Sequence, residues 1–339
     1  MIYKNVELHN VEEVKNTNDG GIELYRFPFE YIDSLKTTQA SVVSRSNAGC
    51  EIRFVTDAKV VWVTMGARLN DLKLSVFCGD LFNKEVTIEA GKKVTFELLY
   101  NENFDKVDET VLKGTNDRFS KNVWRIYING DDNSYCTFYD IQGLDGIVRP
   151  PKDDEKPAVK WLAYGSSVTY GKGAKNTLNS YIQQTANRLG VDVLNKGMVN
   201  SCFCEREMVG YINNAKWDIL SLELGADMYW HKTKEFKKRV EYMIKEIYKI
   251  NSDKKIFVIT TFPNINGLGK DKDLFDKNIE YTKILKDTVG EISSDNVRLI
   301  FGDNILNNKS YLSCDLINPS EYGHIRMGEN LSNLLKERI

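Results

Sequence analysis

A change of periodicity near residue 150 constrains this 339-residue chain more than any other feature. Before it, apolar residues recur in short stretches with a period of two. Cys50-Glu51-Ile52-Arg53-Phe54-Val55 alternates, and Val60-Val61-Trp62-Val63-Thr64-Met65 is β-branched and apolar, which is the pattern of half-buried strands. Residues 72–77, 85–89 and 93–99 continue it, with a turn at Glu89-Ala90-Gly91-Lys92 between the last two. Residues 123–128 and 135–139 read as a hairpin around Asn129-Gly130-Asp131-Asp132, because Asn-Gly favours a tight two-strand turn. Many short strands without a long helical pattern predict a jelly-roll-like β-sandwich over residues 1–148.

The segment 149–157, Arg149-Pro150-Pro151-Lys152-Asp153-Asp154-Glu155-Lys156-Pro157, holds three of the six prolines. It reads as a stiff, charged linker. Beyond it, over 158–339, continuous apolar strands alternate with amphipathic helices. Strands are expected at 159–164, 191–194, 219–224, 256–261 and 297–301. Helices are expected at 180–189, 234–250 and 276–289, and from Ser320, just after Pro319, to the C-terminus. Strands apolar on both faces predict a parallel sheet covered by helices on both sides, an α/β three-layer domain.

The bulk numbers narrow the function classes. Hydrophobic residues make up 42% of the chain and charged residues 28%, the balance of a folded globular protein. With 46 basic and 48 acidic residues, nothing in the charge favours nucleic acid or an anionic membrane as partner. No apolar run approaches the roughly 20 residues that span a bilayer. The first residues, Met1-Ile2-Tyr3-Lys4-Asn5, lack the basic-then-apolar layout of a signal peptide, so the expected location is cytoplasmic. The six cysteines are scattered without CxxC pairs and read as free thiols. With three histidines, His9, His231 and His324, no metal and no cofactor is expected.

The chemistry is expected where the first apolar strand of the second half stops. Trp161-Leu162-Ala163-Tyr164-Gly165-Ser166-Ser167 puts a hydroxyl at the carboxyl edge of a sheet, and Gly171 follows four residues after Ser167. Turn amides at that edge can stabilise an anion, which makes Ser167 a candidate nucleophile. Three further segments fall at the same edge: Asn195-Lys196-Gly197-Met198-Val199-Asn200-Ser201, Glu223-Leu224-Gly225-Ala226-Asp227-Met228 and Asp315-Leu316-Ile317-Asn318-Pro319-Ser320. In order and spacing the four resemble the blocks of the SGNH (GDSL) hydrolases. Ser180-Tyr181-Ile182-Gln183-Gln184 and Gly323-His324-Ile325-Arg326-Met327-Gly328-Glu329 extend the likeness to members that carry a β-sandwich before the hydrolase domain.

That resemblance implies an acyl-ester hydrolase with a Ser nucleophile, a His base and an Asp that orients the His. It also implies an oxyanion hole made by the nucleophile's amide, a Gly amide and an Asn side chain. Carried over by position, the nucleophile is Ser167 and the orienting acid Asp315. The remaining three positions depart: Asn318 stands for the His, Asp227 for the Asn, and Asn200 for the Gly. An amide has no useful basicity near neutral pH, so Asn318 cannot take the Ser167 proton. Asp227 would set a negative charge where an oxyanion forms, unless its carboxyl is protonated. Asn200 keeps its amide, but its side chain enters space that a glycine leaves open.

The ordinary Ser-His-Asp mechanism is therefore expected to be impaired. His231, four residues after Asp227, is the candidate substitute base; His324 reads as a scaffold histidine. Two carboxylates without an imidazole between them are expected to form an acid/base pair or to bind an amine or a cation, and Asp227 beside Ser167 is a candidate weak base. Tyr229-Trp230 either stacks on a sugar ring or packs. The expected ligand is a small-molecule ester or a sugar-like molecule, processed through the altered site by hydrolysis or acyl transfer; the alternative is a catalytically inactive relative that binds a small polar or sugar-like ligand or a protein partner. Homo-oligomerisation stays open.

Overall fold

A computed structural model describes residues 1–35, 37–108, 118–130 and 134–338. The chain divides into two units: residues 1–32, 42–158 and 190–192, and residues 33–41, 159–189 and 193–339.

The first unit is built on two antiparallel sheets. One contains β1 (Ile2–Tyr3), β2 (Val6–His9), β5 (Glu51–Thr56), β10 (Val123–Asn129), β7 (Leu72–Cys78) and β8 (Leu81–Ile88) in that spatial order, with β12 (Val148–Arg149) also on β5. The other runs β3 (Glu13–Asn16), β4 (Ile22–Tyr25), β11 (Cys136–Gly143), β6 (Val60–Ala67) and β9 (Lys93–Leu99). Val61, Val63 and Met65 alternate into the core with Ile52, Phe54, Leu74, Val76, Ile126 and Ile128, the packing of two facing sheets. The opposite phase of β5 is buried as well. Arg53 bonds Glu51 at 2.6 Å and Asp192 at 2.7 and 2.8 Å, and Arg125 bonds Glu51 at 2.7 and 3.0 Å. The polar side of that alternation thus faces paired charges rather than water.

The hairpin expected at 123–139 does not form. β10 lies between β5 and β7 in the first sheet, whereas β11 lies between β4 and β6 in the second. β10 is buried along its whole length and both its edges are taken, so no edge remains for β11. Asn129-Gly130 therefore starts a passage from one sheet to the other; Asp131 and Asp132 lie outside the described residues. Two short helices, α1 (Phe29–Ser34) and α2 (Thr38–Ser44), precede β5 and were not expected. The proline-rich segment is held by a bidentate Arg149–Glu155 pair at 2.6 and 2.7 Å and by Lys156 on Glu7 at 2.5 Å.

The second unit carries the sheet of β14 (Asp192–Gly197), β13 (Lys160–Gly165), β15 (Ile219–Glu223), β16 (Lys255–Ile259) and β17 (Val297–Ile300), in that order. The pairings from β13 to β17 are parallel. β13, β15 and β16 are mostly apolar and buried on both faces, as a helix-covered sheet requires. Helix α4 (Tyr181–Leu189) packs on α10 (Glu321–Leu335), and α6 (Thr233–Ile250) packs on both α5 (Arg206–Asn214) and α8 (Lys272–Ile292). The architecture is an α/β/α sandwich, as expected. From β13 the chain moves outward to β14 and then returns to the other side of β13 as β15. The carboxyl end of β13 is thus the point where strand order reverses, the place where open α/β sheets form their crevice.

Candidate active site

Ser167 opens α3 (Ser167–Tyr170) directly after β13. Ser166 caps the helix by accepting the Val168 amide, and Gly171, at φ 111°, closes it in a left-handed conformation that glycine adopts without penalty. Glu223, at the end of β15, anchors this turn. Its Oε2 accepts the Ser166 amide at 2.7 Å, the Ser166 hydroxyl at 2.6 Å and the Thr169 hydroxyl at 3.2 Å. Burial raises the Glu223 pKa, and the donors from Ser166 and Thr169 oppose that rise. Glycine at 165 is required by the same close approach, since a Cβ there would sit 2.3 Å from Thr169 Oγ1 and 2.7 Å from Glu223 Oε2.

The Ser167 side chain meets the loop before α10. Its hydroxyl donates to Asn318 Oδ1 at 3.2 Å, and Asn318 Nδ2 donates to Asp315 Oδ2 at 2.9 Å. The amide can point only this way, because a carboxylate has no proton to give. Asp315 Oδ1 accepts the amides of Ile317 and Asn318 and the hydroxyl of Ser313, at 2.7–2.9 Å. Partial burial works against its ionisation, but these bonds and the one from Asn318 outweigh it and hold the carboxyl down at about 2. The loop is tight, with Leu316 in the left-handed region at φ 55°. The result is a Ser–Asn–Asp chain of hydrogen bonds in which the middle group orients the hydroxyl without serving as a base.

Asp227 follows β15 in a short 3-10 turn after Gly225. Its Oδ2 accepts the amides of Ser201 and Cys202, each at 2.9 Å. No hydrogen bond joins it to Ser167 among the described residues. Burial pushes its carboxyl up to about 7; the two amides resist, while the charges of Glu223 and Glu205 add to the rise. The upward shift thus comes from burial and these two neighbours rather than from Asp315. Asn200 stands at φ 52° with its side chain exposed, a conformation that suits glycine best and asparagine next. Neither the Ser167 amide nor the Asn200 amide has a hydrogen-bond acceptor among the described residues. Those are two of the three donors that the resemblance assigns to an oxyanion hole.

The histidines stand apart from this chain of bonds. His231 packs its ring against Phe203, with centroids 5.3 Å apart, and its buried Nδ1 has no partner among the described residues. Burial, and then the charge of Arg239, lower its pKa. His324 is fully buried, and both its nitrogens are used. Nδ1 accepts the Tyr181 amide at 3.2 Å, so Nε2 carries the proton toward the Lys172 carbonyl at 2.9 Å. Burial pulls its pKa down to about 4. Tyr229 is buried, with its hydroxyl on Asn278 at 2.8 Å, whereas Trp230 is exposed. Sequence reasoning missed Glu223, for which the available signal was a carboxylate ending an otherwise apolar strand. Among the described residues no group of three or more His, Cys, Asp or Glu could hold a metal, and the six cysteines are free, five of them buried. No helix there is long and apolar enough to cross a membrane.

Comparison with known proteins agrees with this architecture. No curated protein matches the chain. Among solved structures, SsfX3, a salicylyl-acyltransferase from a tetracycline biosynthetic pathway, superposes with a TM-score of 0.77 at 12% identity, covering 96% of this chain and 93% of its own. A family two carbohydrate esterase from Clostridium thermocellum, in complex with cellohexaose, gives 0.64 at 12% identity and covers 98% of both chains. An acetyl xylan esterase, Est2A, from the rumen bacterium Butyrivibrio proteoclasticus gives 0.60 at 11% identity, covering 100% of this chain and 97% of its own. At these identities the likeness speaks for the fold, a β-sandwich followed by an SGNH-type α/β/α domain. The profile of the GDSL-like Lipase/Acylhydrolase family matches residues 156–336, more than half of the chain, and the protein belongs to that family.

Proposed function

We propose that the protein handles acyl esters, of carbohydrate or other small alcohols, through an altered SGNH site in which Asn318 has taken the place of the base. The observation that carries this reading is the bonded series from Ser167 Oγ through Asn318 to Asp315, at 3.2 and 2.9 Å. Ser167 Oγ attacks the ester carbonyl carbon, and the carbonyl oxygen gathers charge toward the Ser167 and Asn200 amides. The bond to the alcohol oxygen then breaks, the hydroxyl proton leaves with that oxygen, and water or a second alcohol takes the acyl group. Asn318 aligns the hydroxyl but keeps no proton, so deprotonation limits the rate. Asp227 Oδ2 is taken up by the Ser201 and Cys202 amides.

The test compares turnover of a short activated ester, and labelling by a serine-directed phosphonate, for the wild type, Ser167→Ala and Asn318→His. Slow turnover that disappears with Ser167→Ala and rises by roughly a thousandfold or more with Asn318→His is expected, since loss of such a base costs orders of magnitude. If neither the wild type nor folded Asn318→His turns over or labels, the catalytic reading falls. The alternative is then a pseudoenzyme that binds a small polar or sugar-like ligand, a reading favoured by the absence of basicity at Asn318.

A further inference from the structure

The carboxyl of Asp227 is fixed by one oxygen and left open at the other. Oδ2 accepts the amides of Ser201 and Cys202, each at 2.9 Å. Oδ1 has no hydrogen-bond partner among the described residues, but unlike Glu223 Oε1 and Glu205 Oε2 it is not shut away from solvent. Bonds on two sides tie this carboxyl to the turn of Ser167. The amides it holds belong to the two residues after Asn200, and two residues before Asn200 the Met198 amide donates to the Gly165 carbonyl at 2.8 Å. From β15, Glu223 accepts the Ser166 amide at 2.7 Å, and the Cys202 thiol donates to the Glu223 carbonyl at 3.7 Å. The Ser167 amide, the Asn200 amide and Asp227 Oδ1 therefore lie in three turns bonded to one another, and none of the three has a partner among the described residues.

The protonation of Asp227 decides what it does there. Ionised, it only accepts hydrogen bonds and repels an oxyanion. Neutral, it has the shape of an asparagine amide: the oxygen that accepts two N–H bonds stays the carbonyl oxygen, and the other carries a proton to donate. The surroundings favour the neutral form. Burial raises the Asp227 pKa, the Ser201 and Cys202 amides oppose this, and the charges of Glu223 on β15 and Glu205 before α5 add to the rise. The thiols of Cys202 and Cys204 are pushed up by burial and stay protonated. His231 is pulled down, first by burial and then by Arg239. Arg239 of α6, the cation that acts on Glu205, is spent on Glu235 at 2.6 Å and on the Phe203 carbonyl at 3.0 Å.

We propose that Asp227 is a catalytic residue, a neutral acid whose Oδ1–H donates a third hydrogen bond to the ester's carbonyl oxygen as charge gathers there, beside the Ser167 and Asn200 amides. The proton stays on Asp227 throughout, so the step moves no proton and needs no further reactant. A carboxylic acid kept neutral by its site serves an oxyanion in this way. The inference rests on the acyl-ester reading and makes the site one that works best below neutral pH.

Turnover of phenyl acetate above the rate of Ser167→Ala, followed from pH 5.5 to pH 8.5, tests it. Asp227→Asn offers an acceptor and a donor at every pH, so the pH dependence of Ser167 itself cancels in the ratio of wild type to this variant. That ratio of kcat/KM values is expected to fall by about tenfold or more across the range, with its midpoint at about 7. Glu205→Gln removes a charge that raises Asp227 and should move the fall to lower pH. Asp227→Ala should lose about a hundredfold at pH 5.5, most of which Asp227→Asn recovers. Where wild-type turnover is too slow to read, the same comparisons are made in Asn318→His. Turnover with a ratio flat in pH, or with Asp227→Ala as active as Asp227→Asn, would overturn the donor and leave the acyl-ester reading standing. A ratio that rises with pH would make ionised Asp227 a base for Ser167 and would overturn the donor as well. No Ser167-dependent turnover or phosphonate labelling, in the wild type and in folded Asn318→His alike, would take down the acyl-ester reading and the donor with it.

Discussion

Two aspartates of comparable sequence context meet opposite fates in this site. Asp315 accepts four hydrogen bonds to its two oxygens and stays ionised down to about 2. Asp227 accepts two amides, but burial, with Glu223 and Glu205 nearby, carries it up to about 7. Glu205 is itself pushed up to about 7 by burial. The consequence for stability has a definite sign. Unfolded, Asp227 titrates near the ordinary carboxylate value of about 4; folded, it holds its proton up to about 7. Between those values the folded state binds more protons, so this contribution is complete below pH 4 and is lost as pH rises through 7. Asp227→Asn keeps an acceptor for the Ser201 and Cys202 amides and removes the titration. Wild-type Tm is therefore expected to fall from pH 5 to pH 8 more steeply than that of Asp227→Asn. A pH-independent difference between their melting curves would refute the assignment.

Among the elements, those with strong periodicity were legible and those set by long-range pairing were not. The strands around 60–65, 93–99 and 219–224 and the long helices at 234–250 and 276–289 stand where the apolar pattern put them, within a few residues. That pattern reports burial of a face, which strand and helix period encode locally. The Asn129-Gly130 turn signal misled because hairpin closure depends on which edge of β10 is free, and β5 and β7 occupy both. The site divides the same way. That Ser167, Asn318 and Asp315 would meet was implied by the resemblance to the SGNH blocks, whose loops a parallel sheet brings to one edge, and the three are hydrogen-bonded in series. The role of Glu223 was not legible, because its partners lie more than fifty residues earlier in the chain.

Contact between elements also makes a prediction at Gly197, the last residue of β14. A Cβ there would lie 2.2 Å from the Tyr170 amide nitrogen of α3. Gly197→Ala must push α3 away from the sheet, at a cost of about 1–3 kcal/mol or more. Because α3 begins with Ser167, the displacement should also slow phosphonate labelling of Ser167. Denaturant unfolding and labelling rates together check this, and an alanine accommodated without loss in either would show that α3 is free to move.

At the scale of the whole molecule, the first unit is held by more than its apolar core. Arg53 joins Glu51, its neighbour on β5, to Asp192, 139 residues away in sequence, and Arg125 reaches Glu51 from β10. All of these groups are buried. The charges of Arg125 and Arg53 overcome the effect of burial and keep Glu51 well below the usual carboxylate range, and Arg53 with His9 holds Asp192 down at about 2 in the same way. A network of this kind adds modestly to stability when complete, because the charges have given up water to form it. Breaking it is another matter. Arg53→Met would leave Asp192 and part of Glu51 buried without their partner, at a cost of roughly 3–5 kcal/mol. Removing Asp192 as well should return part of that loss, since the orphaned charge disappears with it. A double-mutant cycle of Arg53→Met and Asp192→Asn, read by denaturant unfolding, should therefore show a coupling of about 1–3 kcal/mol. Strict additivity would mean that water reaches the pair and that the segment 190–192 is not fixed to the first unit by this bond.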